Sequence, residues 1–324
     1  MDDSELIRFL ASIVLAATPL IIAVCGETIT ERSGVVNLSL DGTMLMAAML
    51  GFIVALETNN VWLGFLAGAG IGAFFALIVA FGNIRLGASM VAVGFVLTLL
   101  GDDLSAFLGQ NYTRIPGPSI IRGSIPILKD IPILGPIFFD QDIVVYFSFV
   151  LVGVTWYFLN RTQPGLHLRS AGERPEAAFA RGVHVNHVRY LYTIVGGALV
   201  GIAGASYSLN VKIGWAEGAT RGLGWIALAI VIFGGWSPIG GAMGALLFAA
   251  TRSLVTVLQK SYPEVPATVF LALPWILMIA VLVLAGSGSL QRLVTFLPRS
   301  VQPAMSRILR VQPPAALGTT FEEN

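Results

Sequence analysis

Long apolar runs, joined by short polar connections, dominate the chain. Nine of them approach or exceed the roughly 20 residues that a membrane-spanning helix needs: 6–25, 34–56, 61–81, 88–108, 143–160, 190–209, 223–238, 240–258 and 267–286. The first, third, fourth, fifth, sixth and ninth are uninterrupted. The second contains Asn37 and Asp41, and only Trp236, Ser237 and Pro238 part the seventh from the eighth. Those three runs leave room for half-helices that enter and return, so the expected nine crossings carry a range of eight to ten. The pattern predicts an all-α, polytopic transmembrane helical bundle. It forms one domain over 1–290, with interrupted or re-entrant helices allowed.

Composition agrees. Of 324 residues, 56% are hydrophobic and only 11% charged, against about 25% charged in a soluble domain that must be solvated on all sides. Membrane lipid is therefore an expected partner. Thirty-six glycines suit helices that approach closely through small residues. The pairs Gly64 with Gly68, Gly197 with Gly201 and Gly240 with Gly244 read as packing signals of this kind. A net charge of +1 offers nothing to nucleic acid. Three histidines and the lone Cys25, which falls in an apolar run, exclude a disulfide framework and argue against a metal cluster. The chain opens with Asp2, Asp3 and Glu5, the opposite of a cationic leader, so the first run is expected to be a retained helix.

Cations in the loops set the direction. Loop 161–189 holds Arg161, Arg169, Arg174, Arg181 and Arg189, and no lysine; the tail carries Arg292, Arg299, Arg307 and Arg310. Both are placed in the cytoplasm, and the four runs between them satisfy the parity. Counting back puts Arg85 inside, and the acidic N-terminus and residues 109–142 outside. That external loop has Pro116, Pro118, Pro126, Pro132 and Pro136 and cannot be one regular helix. It reads either as a cap over helix ends or as a docking surface. The tail 291–324 has no long apolar run and is expected to be partly disordered.

Within 161–189 a short helix is outlined. Pro175 suits its first turn, Glu173 and Glu176 its positive end, Arg181 its negative end and Gly182 its stop. Ala177, Ala178, Phe179 and Ala180 lie between. Two turns are too short to stand alone in water, so the helix needs a surface. A groove on a soluble partner and the lipid headgroups both qualify.

The stretch LRSAGERPEAAFARGVHVNHVRY, then GGALVGIAGASYSL, then RGLGWIALAIVIFGGWSPIGGAMGALLF, resembles the permease subunits of bacterial ABC importers. The branch it resembles is the simple-sugar and nucleoside one, related to the branched-chain amino acid permeases. ERSGVVNLSLDGTMLMAAMLG resembles the same branch, with Leu38-Ser39-Leu40-Asp41-Gly42 where N-I-G-L-E-G is usual. The likeness covers about 27–285. It implies that loop 161–189 is the coupling element, with Gly172, Glu173, Pro175, Ala178, Phe179 and Gly182 docking an ABC ATPase subunit. It further implies a second permease subunit, homologous or identical, an extracytoplasmic solute-binding protein, and a place in the bacterial cytoplasmic membrane. The implied cargo is a nucleoside, with a simple sugar such as ribose as the alternative. No G-x-x-x-x-G-K-[ST] phosphate loop occurs. The chain is therefore expected to hold no cofactor and not to be an enzyme, with ATP and Mg on the partner.

An acid inside a span is costly and marks function by default. Asp41, with Asn37 one turn before it, reads as either a stabiliser of an interrupted helix or a solute contact. Trp215, Glu217 and Trp225 are further candidates for the solute path, through aromatic stacking; interfacial anchoring is the competing reading of the tryptophans. Asp102 and Asp103 are expected to be solvated near the outer end of the fourth run. Arg32-Ser33-Gly34 and Arg221-Gly222 each precede an interrupted run, an echo that can mark a central site between repeats. Two rival classes fit less well. A secondary transporter would need more intramembrane acids, and an intramembrane enzyme would need a catalytic set, whereas His167, His184 and His187 all fall in the loop.

Overall fold

The computed structural model describes residues 3–120, 123–126, 128–286 and 312–322. Among these the chain is all-α. The helices are α1 (Asp3–Arg32), α2 (Leu40–Thr58), α3 (Val61–Ile84), α4 (Met90–Gly109) and α5 (Ile143–Arg161). Then come the short α6 (Gln163–Glu173) and α7 (Pro175–Ala180), followed by α8 (Val185–Ser206), α9 (Leu223–Phe233), α10 (Pro238–Ser261), α11 (Ala267–Leu271) and α12 (Leu273–Gly286).

Eight segments of the described residues are long and apolar enough to cross a membrane, with one shorter apolar helix besides, within the expected range of eight to ten. The seventh run yields only α9, of 11 residues. Gly234 and Gly235 stop it, and the turn that follows has positive φ at Gly235 (67°) and Trp236 (51°). A left-handed conformation costs a non-glycine residue about 1–2 kcal/mol, so the break at Trp236 is held by its surroundings. The second run is shorter than its apolar stretch: residues 33–39 are irregular, and helix begins at Leu40. The first is longer, continuing through Glu27 and Glu31 to Arg32.

Helices α1, α2, α3 and α8 form the centre, with α8 packed along both α1 and α3. Glycines permit this. A Cβ added at Gly68 would lie 2.9 Å from the Gly201 carbonyl oxygen, and one at Gly201 or Gly197 would strike the α3 backbone. From the two spaced pairs, Gly68 thus meets Gly201, while Gly197 meets Gly72. Gly64 faces Gly51 on α2, Gly240 faces Gly234, and Gly244 faces Phe233. Helices α4, α5 and α12 lie outside this centre and expose much of their apolar surface.

The two ends of the bundle differ. At one end the described residues of 110–142 include short 3-10 and π turns and no regular α-helix. They pack on the first half of α1, where buried Ile137 meets Val14 and Gln141 donates to the Ala11 carbonyl at 3.4 Å. At the other end lie α6, α7 and the last turn of α1. Residues 312–322 of the tail run against these, so the tail and the arginine-rich loop share an end. Arg292, Arg299, Arg307 and Arg310 lie outside the described residues.

Candidate functional site

The two interrupted runs meet head to head. In α2, Asp41 sits in the first turn, buried, and its Oδ1 accepts the backbone N–H of Gly222 (2.8 Å) and of Gly224 (2.9 Å). These are among the amides at the start of α9 that lack a helical partner. A carboxylate placed there also complements the helix dipole. Gly222 has φ 88°, a conformation that glycine adopts without strain. Gly224 lies against the Asp41 backbone so closely that a Cβ would not fit. Of the two echoed motifs, Gly222 takes part in this junction, whereas Arg32 and Gly34 bond elsewhere, to Trp236 and Gly318.

The junction lies midway through the bundle. Thr98 donates to the Leu38 carbonyl at 2.7 Å, and a Cβ at Gly101 would come 2.6 Å from the Gly42 oxygen. Thr98 and Gly101 are near the middle of α4. From here the chain 212–222 leads to one end, where Trp215 is buried against Gly109 and its carbonyl accepts the Arg114 N–H at 3.2 Å. Helix α9 leads to the other, where Trp236 donates from its indole to Glu31. A loop plus a half-length helix therefore runs from one end of the bundle to the other.

Asn37 is buried outside the helix rather than one turn below Asp41. Its Oδ1 accepts from the Ser39 N–H (3.1 Å) and hydroxyl (2.6 Å), bracing the irregular entry to α2. Trp215 is 2% exposed, so neither of its faces is open to a solute here. Trp225 is half-buried with its ring 6.4 Å from that of Phe95. Glu217 is exposed in the loop before α9. A groove of 270 Å³ lies at this end, lined by Arg114, Lys212 and Trp215 among others.

Asp102, expected to be solvated, pairs with Arg221 at 2.8 Å.

The short helix predicted in loop 161–189 is α7. Arg181 and Gly182 close it by donating to Ala178 and Phe179, and Gly182 has φ 84°. Ahead of it lies a helix that sequence reasoning missed, α6, capped by Thr162, whose hydroxyl accepts the Gly165 N–H at 3.1 Å. Glu173 is its last residue. Pro175 and Ala178 are buried, Phe179 half-buried, and Glu173 and Gly182 exposed. Gly172 is buried where a Cβ would strike the Arg32 carbonyl. A groove of 560 Å³ runs along this surface between Leu166, Glu173, Arg174, Ala178, Arg181 and Val183.

Arg32 joins this surface to the interior. Its guanidinium faces Glu173 at 3.8 Å and donates to the carbonyls of Trp236 (3.0 Å) and Gly235 (3.4 Å). The end of α6, the end of α1 and the α9–α10 break are thereby one polar network. Glu31 belongs to it through Trp236. Glu27, one turn earlier, is fully buried with neither carboxylate oxygen paired among the described residues. Both were missed because the first apolar run was closed at residue 25; their i, i+4 spacing on a helix was the available signal. Arg189, read only as a loop charge, is also fully buried. Among the described residues no three His, Cys, Asp or Glu side chains group to hold a metal.

A model of the family described as branched-chain amino acid transport system / permease component matches residues 9–282. The chain is 40% identical over 245 residues to a putative glucose ABC transporter permease protein of Haloferax volcanii, covering 74% of each. It is 34% identical over 287 residues to a nucleoside ABC transporter permease protein of Lactococcus lactis subsp. cremoris, covering 85% of this chain and 90% of the relative. It is 35% identical over 301 residues to a guanosine ABC transporter permease protein of Bacillus subtilis, covering 87% and 93%. No solved structure matches.

Proposed function

The chain belongs to the branched-chain amino acid transport system / permease component family, and from that premise we propose that it imports a nucleoside as one membrane-spanning half of an ATP-driven ABC transporter. The nucleoside rests on the two relatives named for nucleoside or guanosine transport, which align over at least 85% of this chain. A simple sugar is the second reading, favoured by the 40% identity to the putative glucose permease.

The observation that carries the transport mechanism is the junction at Asp41, where two helices begin within the bundle; a separate polar network of Arg32, Glu31, Glu173 and Trp236 lies at the far end of α9. Discontinuous helices meeting near the midplane are where transporters bind and gate solutes. An external binding protein delivers the solute at the 109–142 end. A second permease completes the path against the apolar faces of α4 and α12. A separate ATPase holds ATP and Mg and docks on α7 through Glu173, Pro175, Ala178 and Phe179. Its ATP-bound and free forms favour different arrangements of the bundle, so hydrolysis alternates access. This places the arginine-rich loop and the tail in the cytoplasm, the N-terminus outside, and the chain in the cytoplasmic membrane.

The test is uptake of radiolabelled nucleosides and pentoses by cells with and without the gene, and with the ATPase deleted. Loss of nucleoside uptake in both deletions is expected. Unchanged uptake of every solute overturns the cargo. Uptake that survives without the ATPase and collapses with the ion gradient makes the chain a secondary transporter instead.

A further inference from the structure

Residues 312–322 make contacts with α6, α7 and α8 alike. The Ala316 N–H donates to the Gly172 carbonyl (2.8 Å), and the Gly318 N–H to the Gly34 carbonyl (2.9 Å). The Ala315 N–H reaches Glu173 at 3.3 Å. The Thr319 carbonyl accepts from Arg189 at 2.7 Å, while the same guanidinium donates to Ala171 at 3.4 Å. Phe321 sets its ring edge-on to Phe179, centroids 5.8 Å apart. Pro314 and Ala316 are buried beneath the segment, and Leu317 packs into the main core.

These contacts fall on two bodies. Gly172, Glu173 and Phe179 belong to α6 and α7. Gly34 belongs to the irregular stretch that enters α2 at Asp41, and Val36 of that stretch lies 3.5 Å from where a Gly318 Cβ would sit. Arg189, in the first turn of α8, is close to both: a Cβ on Gly34 would meet its Nη2 at 2.9 Å. Two backbone hydrogen bonds and a buried guanidinium thus fasten the end of α6 to the entry of α2. Without the tail, Arg189 would lose its shortest hydrogen bond while still buried, which is costly for a charge.

We propose that the C-terminal segment is a tie: it makes α6, α7 and the 33–39 stretch move together, so that a push on α7 reaches the α2–α9 junction. The residues that position it are Arg189, Gly318 and Phe321. The proposal rests on the reading of α7 as the ATPase-docking helix, and it assigns the tail the transmission of force rather than the docking itself. It also accounts for Gly318, whose φ of 77° turns the segment as its amide bonds Gly34.

The test compares three variants in the assembled transporter, reconstituted in liposomes with its ATPase, second permease and binding protein. One is a chain ended after Val311; the others are Gly318→Val and Phe321→Ala. Three readouts are taken: ATPase retained on purification, ATP hydrolysis, and import of whichever common tritiated nucleoside the wild-type complex takes up. The truncated chain is expected to retain the ATPase and its hydrolysis while importing about tenfold less per ATP, within the usual range of coupling between sites. Gly318→Val and Phe321→Ala should fall between it and wild type. Unchanged import per ATP in the truncated chain overturns the tie. Loss of the ATPase from that chain also overturns it, because the segment would then be part of the docking seat. Wild-type import that needs no ATPase removes the docking premise and the tie with it, and is told apart by occurring before any variant is made. A thermal unfolding curve of each purified variant identifies losses due to misfolding, for which Phe321→Ala, at a half-buried ring, is the mildest probe.

Discussion

The Asp41 carboxylate accepts the Gly222 N–H at 2.8 Å across 181 residues of sequence, joining the start of α2 to the start of α9. Replacing it with alanine leaves the amides of Gly222 and Gly224 buried without a partner, at about 1–3 kcal/mol each. Asp41→Ala should lower the thermal midpoint in detergent and abolish uptake. Asp41→Asn, which keeps an acceptor oxygen, should retain most of the stability. Equal stability of Asp41→Ala and wild type would refute the capping role.

Glu173→Ala and Phe179→Ala act on the surface of α6 and α7. The ion pair with Arg32 is partly exposed, so removing Glu173 should cost no more than about 1 kcal/mol. Both variants should reach the membrane in normal amount yet import poorly with ATP hydrolysis retained. Normal import by both would show that this loop is not the coupling element.

The α3–α8 contact predicts a position-dependent effect along a single helix. Gly72→Leu drives a side chain into the α8 backbone at Gly197 and Gly201, where overpacking costs about 1–3 kcal/mol or more. Gly70→Leu, two residues away, meets nothing within 4 Å. Immunoblots of membranes should show little of the first and normal amounts of the second.

The Arg221 pair with Asp102 bears on pH. An arginine guanidinium keeps its proton in proteins, so the cation of this pair is present throughout the working pH range. Arg221→Gln should therefore lower uptake by the same factor at every pH between about 6 and 9. A factor that changes with pH across that window would show that the loss does not come from removing a fixed positive charge.

Most spans were legible because a membrane demands about 20 apolar residues in a row, and α3, α4, α5 and α8 obey that demand without interruption. Helix α9 was not, since 223–238 is apolar throughout and its stop depends on Gly234, Gly235 and the fold around Trp236. The α7 helix could be read from Pro175, Arg181 and Gly182, each of which acts through local backbone chemistry. Asp41 was visible as an anomaly, but its partners are backbone amides 181 and 183 residues away, which leave no mark in residue identity. The tail is the extreme case: it is held largely by main-chain groups of Gly34, Gly172, Ala316 and Gly318. A sequence without an apolar run gave no reason to place it against anything.

The half-length of α9 has a consequence for water. Eleven residues at about 1.5 Å each reach some 16 Å, roughly half of a 30 Å hydrocarbon layer. The rest of that crossing, 212–222, is irregular backbone, as is the 33–39 stretch entering from the opposite end. Irregular backbone at membrane depth cannot face lipid and must be covered by protein or lie against water. The 33–39 stretch takes the first course, with Ser33, Val35, Asn37 and Ser39 all buried, whereas 212–222 leaves Lys212, Ile213, Glu217 and Arg221 exposed, so water reaches the Asp41 junction from the 212–222 side alone.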